Sequence, residues 1–101
     1  MFDDELMRFL EALANGENFR KEVIGTDEVG EYTIDTCNTP DCGYETGICK
    51  NNGYWIIVQR YDTREQAELG HKIWISVCAA NPVGAYSVQT RQYEEFRGVG
   101  L

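Results

Sequence analysis

Tyr44-Glu45-Thr46-Gly47-Ile48-Cys49 and Tyr54-Trp55-Ile56-Ile57-Val58-Gln59-Arg60-Tyr61 flank Asn51-Asn52-Gly53. Asn-Gly between two β-rich runs is the strongest short-range hairpin signal, because the tight turn needs φ above zero at its central residues. In the second run Tyr54, Ile56 and Val58 share one face, and Trp55, Ile57 and Tyr61 share the other. Both faces therefore carry apolar groups, as in a strand covered on two sides. Upstream, Tyr32-Thr33-Ile34-Asp35-Thr36-Cys37 alternates in character and reads as another strand, closed by the turn residues Asn38-Thr39-Pro40-Asp41. The core of the fold is thus a β-meander.

Helices frame it. Thr63 and Gln66 have the capping-box spacing, and the run that follows is helical in composition up to Asn81-Pro82. Ala67, Gly70, Ile73, Trp74, Val77 and Cys78 would line its buried face. At the amino terminus Phe2, Leu6, Phe9, Leu10 and Leu13 recur at helical spacing behind Asp3, Asp4 and Glu5, before Asn15-Gly16. Residues 17–31 read as a short strand or as irregular chain around an acidic stretch bracketed by Gly25 and Gly30. Ala85 to Thr90 alternates and would add a last strand before a charged tail whose Gly98-Val99-Gly100-Leu101 should fray. The order predicts an α+β fold: a small antiparallel sheet, a meander of three to five strands, packed with an N-terminal helix and a longer helix at about 63–80. At 101 residues this is one domain spanning 1–101.

Charge narrows the function. The net charge is −8, and residues 1 to 35 alone contribute −7. A chain so poor in Lys and Arg has no electrostatic means of holding a phosphate backbone, so direct nucleic-acid binding is not expected. The acidity either serves solubility alone or favours encounter with a basic protein surface. The acidic start and the short apolar runs argue for a soluble, unexported protein with no membrane association.

The reactive residues are few. Cys37, Cys42, Cys49 and Cys78 raise zinc, with a set of Cys37, Cys42, Cys49 plus His71 or Cys78, but their spacing lacks paired knuckles and free thiols are the default. His71 is the single histidine, so acid–base or triad chemistry must pass through it. A lone helical histidine beside Trp74 reads as a structural hydrogen-bond donor or as a surface residue. Asp35, Asp41 and Glu45 sit near one turn and offer oxygen ligands of the kind Mg²⁺ takes. Neither a catalytic set nor a cofactor is expected. Tyr44, Tyr54, Trp55, Tyr61, Trp74 and Tyr86 exceed what one small core absorbs: either the sheet and its covering helix bury most of them, or an exposed cluster marks a partner or self-association face.

Four stretches, Asp35-Thr36, Tyr44-Glu45-Thr46-Gly47-Ile48, Trp55 to Tyr61 and Glu65 to Trp74, resemble small proteins encoded by bacteriophages and prophages over roughly residues 32–90. The resemblance implies a phage source and expression in the host cytoplasm, where such proteins often inhibit host enzymes or defence systems, CRISPR complexes included. It carries no activity over to any residue. Joined to the charge, the expectation is a non-enzymatic inhibitor. Its acidic face of Asp3, Asp4, Glu11, Asp27, Glu28, Glu31 and Asp35 would dock on a basic host surface, that of a nucleic-acid-binding complex, in the manner of a DNA mimic. Two alternatives stand beside it. One is an oligomer that sequesters a host signalling nucleotide with its Tyr and Trp faces and Arg60, Arg64, Lys72 and Arg91; the other is a small zinc- or metal-binding module.

Overall fold

The computed structural model describes residues 22–98. Four antiparallel strands, β1 (Glu22–Val29), β2 (Tyr32–Thr39), β3 (Gly43–Lys50) and β4 (Ile56–Tyr61), pair in chain order as a meander. Helix α1 (Arg64–Ala79) then crosses one face and touches all four strands. A separate hairpin of β5 (Gly84–Ser87) and β6 (Gln92–Glu95) sits against β4. The α+β class and the meander are as expected; the amino-terminal helix expected over 2–13 lies outside the described residues.

Each element has a local cause. Thr63 caps α1 by accepting from the Gln66 amide at 3.2 Å, while the Gln66 side chain accepts from the Thr63 amide at 3.3 Å. The capping box read from the sequence is therefore present, and it satisfies two of the amides a helix start leaves unpaired. The tight turn after β3 uses Asn51 and Asn52, with φ of 52° and 57°, and closes through the Gly53 amide donating to the Lys50 carbonyl at 2.9 Å. Asn52-Gly53 was the expected central pair; the turn is centred one residue earlier, since asparagine also tolerates left-handed backbone.

Three sequence readings need correction. The acidic stretch of residues 26–29 is not irregular: it belongs to β1, whose register slips between Val23 and Gly25. The charged stretch after Thr90 is not plain tail: residues 92–95 form a strand that pairs with β5 from Gly84↔Glu95 to Ser87↔Gln92, while residues 99–101 of the end expected to fray lie outside the described residues. Tyr61 does not share a face with Trp55 and Ile57. A register shift opposite Thr46 and Gly47 inserts one extra residue in β4, so Gln59 and Tyr61 turn to the helix side and Ile57 and Arg60 to the other.

Inward side chains form the core: Tyr32, Ile34, Ile48, Ile56, Val58, Cys78 and Phe96, with Trp74 and Ile75 packed against them. Ile34 and Ile48 are wholly buried, each contributing on the order of 2–3 kcal/mol of apolar burial. Tyr32 meets Phe96 edge to face at 5.4 Å between centroids, and its hydroxyl reaches Asn81 and Pro82 just beyond α1. On α1 the buried positions are Ala67, Gly70, His71 and Cys78, while Leu69, Ile73 and Val77 face solvent. Ile73 and Val77, expected inside, are displaced because the helix presents its histidine to the sheet.

Thr63→Ala removes the side-chain half of the capping box and is expected to lower stability by about 1 kcal/mol, measured as a shift in urea midpoint with unchanged slope.

Candidate functional site

The strand alternation puts Gly25 and Asp27 of β1, Thr36 of β2, Thr46 of β3 and Gln59 and Tyr61 of β4 on the side that α1 covers. From α1, His71 and Trp74 reach down to meet them. His71 Nε2 lies 2.7 Å from Asp27 Oδ2, and His71 Nδ1 lies 2.6 Å from Thr36 Oγ1. Thr36 Oγ1 is 2.7 Å from Thr46 Oγ1, which is 2.9 Å from the Tyr61 hydroxyl. That hydroxyl lies 3.4 Å from Gln59 Oε1, an oxygen that also accepts from Trp74 Nε1–H at 2.8 Å. One continuous polar chain therefore crosses all four strands.

Burial makes the chain costly to break. Thr36 and Thr46 have no exposed surface and His71 retains 7%. An unmade hydrogen bond at such a position costs about 1–3 kcal/mol. Among the described residues no buried side-chain nitrogen or oxygen lacks a partner, so the network is complete. Two glycines give it room. A Cβ on Gly25 would sit 3.0 Å from His71 Nε2, and a Cβ on Gly70 would run into the Tyr61 hydroxyl. Burial pushes the Tyr61 phenol up from its ordinary value, against a weaker downward pull from its bond to Thr46, so it stays protonated.

Asp27, His71 and Thr36 repeat the carboxylate–imidazole–hydroxyl order of a nucleophilic triad. The resemblance ends at access. Thr36 is sealed beneath α1 and its oxygen is already shared between His71 and Thr46, so no substrate carbon can reach it.

The opposite face of the sheet has a different character. It carries Val23, Thr26 and Glu28 from β1, Thr33, Asp35 and Cys37 from β2, Glu45, Gly47 and Cys49 from β3, and Ile57 and Arg60 from β4. A groove of about 350 Å³ opens there, floored by Cys37, Gly47 and Ile57, edged by Trp55 and bordered by the carboxyls of Asp35, Asp41 and Glu45. Trp55 is 49% exposed. Thr26 donates to Asp35 at 2.7 Å, and Arg60 lies 3.5 Å from Glu45.

The expected acidic residues are divided between these surfaces. Asp27 turns to the helix side and pairs with His71, whereas Glu28 and Asp35 lie on the opposite face. Glu31, in the β1–β2 turn, lies 3.7 Å from Lys50. Asp3, Asp4 and Glu11 lie outside the described residues. Asp35, Asp41 and Glu45 do share the groove, yet no group of three His, Cys, Asp or Glu among the described residues converges as metal ligands. The expected zinc set is split in the same way, with Cys37 and Cys49 on the groove side of the sheet and His71 and Cys78 on the helix side. Among the bases proposed for a nucleotide, Arg60 pairs with Glu45 and Arg64 is held between Glu22 and Glu68, which raise its pKa.

None of the cysteines is disulfide-bonded among the described residues: Cys42 is exposed, and Cys37, Cys49 and Cys78 are buried. Burial pushes the Cys78 thiol up to about 11 from 9.0 and raises that of Cys49. No helix among the described residues is long and apolar enough to cross a membrane. No protein-family model, curated protein or solved structure matches the chain.

Two outcomes follow for measurement. Because the Cys78 thiol holds its proton more tightly when folded, its contribution to stability is complete below about pH 9 and is lost as pH rises towards 11. Denaturation curves should weaken across that window, and less steeply in Cys78→Val. Gly70→Ala gains about 1 kcal/mol of helix propensity. It is nonetheless expected to lower the melting temperature, because the new methyl drives Tyr61 off Thr46.

Proposed function

We propose that this protein acts by binding, without catalysis, and that the groove-bearing face of its sheet docks on a basic surface of a protein partner. One observation carries the reading: the open face combines a half-exposed Trp55 and an apolar floor with the carboxyls of Asp35, Asp41 and Glu45, while the histidine chain is closed to substrate. An aromatic edge beside carboxylates suits the guanidinium of a partner arginine, which stacks on π faces and pairs with carboxylates. The net charge of −8 supports it by drawing a basic partner in. Glu28 and Asp35 of the acidic set expected from the sequence remain in this surface; Asp27 and Glu31 act elsewhere. With the phage-protein resemblance, the reading extends to an inhibitor working in a host cytoplasm on a nucleic-acid-binding protein.

An arginine-rich peptide serves as the probe, with Trp fluorescence as the signal. Affinity should fall steeply as salt rises. The double variant Glu28→Lys/Asp41→Lys should weaken binding tenfold or more, about 1.4 kcal/mol. The charge-matched control Asp62→Lys/Glu95→Lys should weaken it far less. Equal loss in both pairs would reduce the effect to net charge, and salt-independent affinity would overturn the docking mode.

A further inference from the structure

We propose that the side chains from Asp27 through His71, Thr36, Thr46 and Tyr61 to Gln59 form a reversible relay, in which protonation of His71 turns every hydroxyl hydrogen bond in the chain the other way round. The inference is independent of the docking face and rests on counting hydrogens. Each hydroxyl of Thr36, Thr46 and Tyr61 has one hydrogen to give.

With a neutral imidazole, Nε2–H must donate to Asp27, since the other tautomer would set a lone pair against a carboxylate at 2.7 Å. Nδ1 is then an acceptor and takes the Thr36 hydrogen at 2.6 Å. Thr36 in turn accepts from Thr46, and Thr46 from Tyr61. All hydrogens point towards the histidine. With an imidazolium, both ring nitrogens donate. Thr36 now accepts from Nδ1–H and must give its hydrogen to Thr46, Thr46 gives to Tyr61, and Tyr61 is left needing an acceptor. Gln59 Oε1 is that acceptor, 3.4 Å away and held in place by Trp74. The fold thus supplies a terminal partner for either direction.

The proton balance is simple. One proton is gained and resides on Nδ1; each hydroxyl keeps its own hydrogen and only turns it about the C–O bond, so no O–H bond is broken. The new positive charge stands opposite Asp27 of β1. From β2 and β3 the groups facing the ring are the uncharged hydroxyls of Thr36 and Thr46, with Tyr44 two residues further along β3; from β4 it is the Tyr61 phenol. On α1 itself the neighbours are Glu68 and Lys72, with Arg64 paired to Glu22 of β1 nearer the helix start. A protonation event at the β1 edge is therefore registered at Tyr61 on β4, at the opposite edge of the four-stranded sheet.

The test is nuclear magnetic resonance on the full chain, following the His71 ring nitrogens and Tyr61 Cζ as the pH is lowered until the imidazole takes up its second proton. In the wild type the Tyr61 signal should move with the same midpoint as His71. Thr46→Val removes the middle hydroxyl at nearly constant shape, so His71 should still titrate while Tyr61 no longer follows; Thr46→Ser should keep the coupling. A Tyr61 signal that stays fixed while His71 is protonated in the wild type, or a His71 that stays neutral until the protein unfolds, overturns the relay. So does a Tyr61 that follows His71 equally well in Thr46→Val, because the response would then be through space. The wild-type comparison decides the matter by itself if the valine variant fails to fold.

Discussion

A buried histidine has two ring nitrogens, and the fold must find a partner for each. That obligation organises the helix-covered half of the molecule. Asp27 meets one nitrogen and Thr36 the other, which fixes the facing of β1 and β2 and places α1 across them. Thr36 is then committed, so Thr46 must serve it, and Tyr61 must serve Thr46. In a sheet, moving any strand by one residue would turn these groups outward and leave a neighbour unpaired. The apolar cluster around Ile34 and Ile48 supplies most of the driving force for folding, but it is far less particular about register.

The backbone irregularities make sense against this demand. The slip in β1 between Val23 and Gly25 brings a glycine beneath the imidazole, where a side chain would press on the ring. The extra residue in β4 turns Tyr61 inward to meet Thr46, at the cost of a strictly alternating strand. Gly70 weakens α1 locally and lets the Tyr61 ring lie close beneath it. Three departures from ideal geometry thus serve a single row of polar contacts, and bulges are a common means of re-aiming a side chain.

Much of the architecture was legible in the sequence and much of the polar row was not, for identifiable reasons. Capping by Thr63 and the turn at Asn51-Asn52 are short-range chemistry, written within four residues of chain. Strands β2 and β3 alternate without a fault and could be read directly. The bulge in β4 leaves no local mark, since Ile57-Val58-Gln59 looks the same with or without it, and Tyr61 was consequently assigned to the wrong face. The signal for the polar row did exist. Ala67, His71, Trp74 and Cys78 are spaced as one helical face, and Thr36 and Thr46 occupy strand positions that alternation sends inward beside Ile34 and Ile48. Ile73 and Val77 drew attention instead because hydrophobicity alone ranks them above a histidine. The groove was partly visible as Asp35, Asp41 and Glu45 around one turn, but Trp55 joins them only through pairing of β3 with β4.

The two ends of the meander are finished differently. Beside β4 the chain returns, and the Val88 amide donates to the Ile57 carbonyl at 2.9 Å, so that margin is closed by the protein itself. At the other margin β1 stands last in the order, and among the described residues no strand pairs with its outer side. It carries Glu22, Asp27 and Glu28 and a kink near its start. Like charges would face one another if two copies aligned there, and the kink spoils the straight template that fibril growth requires. The acidity of β1 therefore works against two copies of the molecule pairing along this margin.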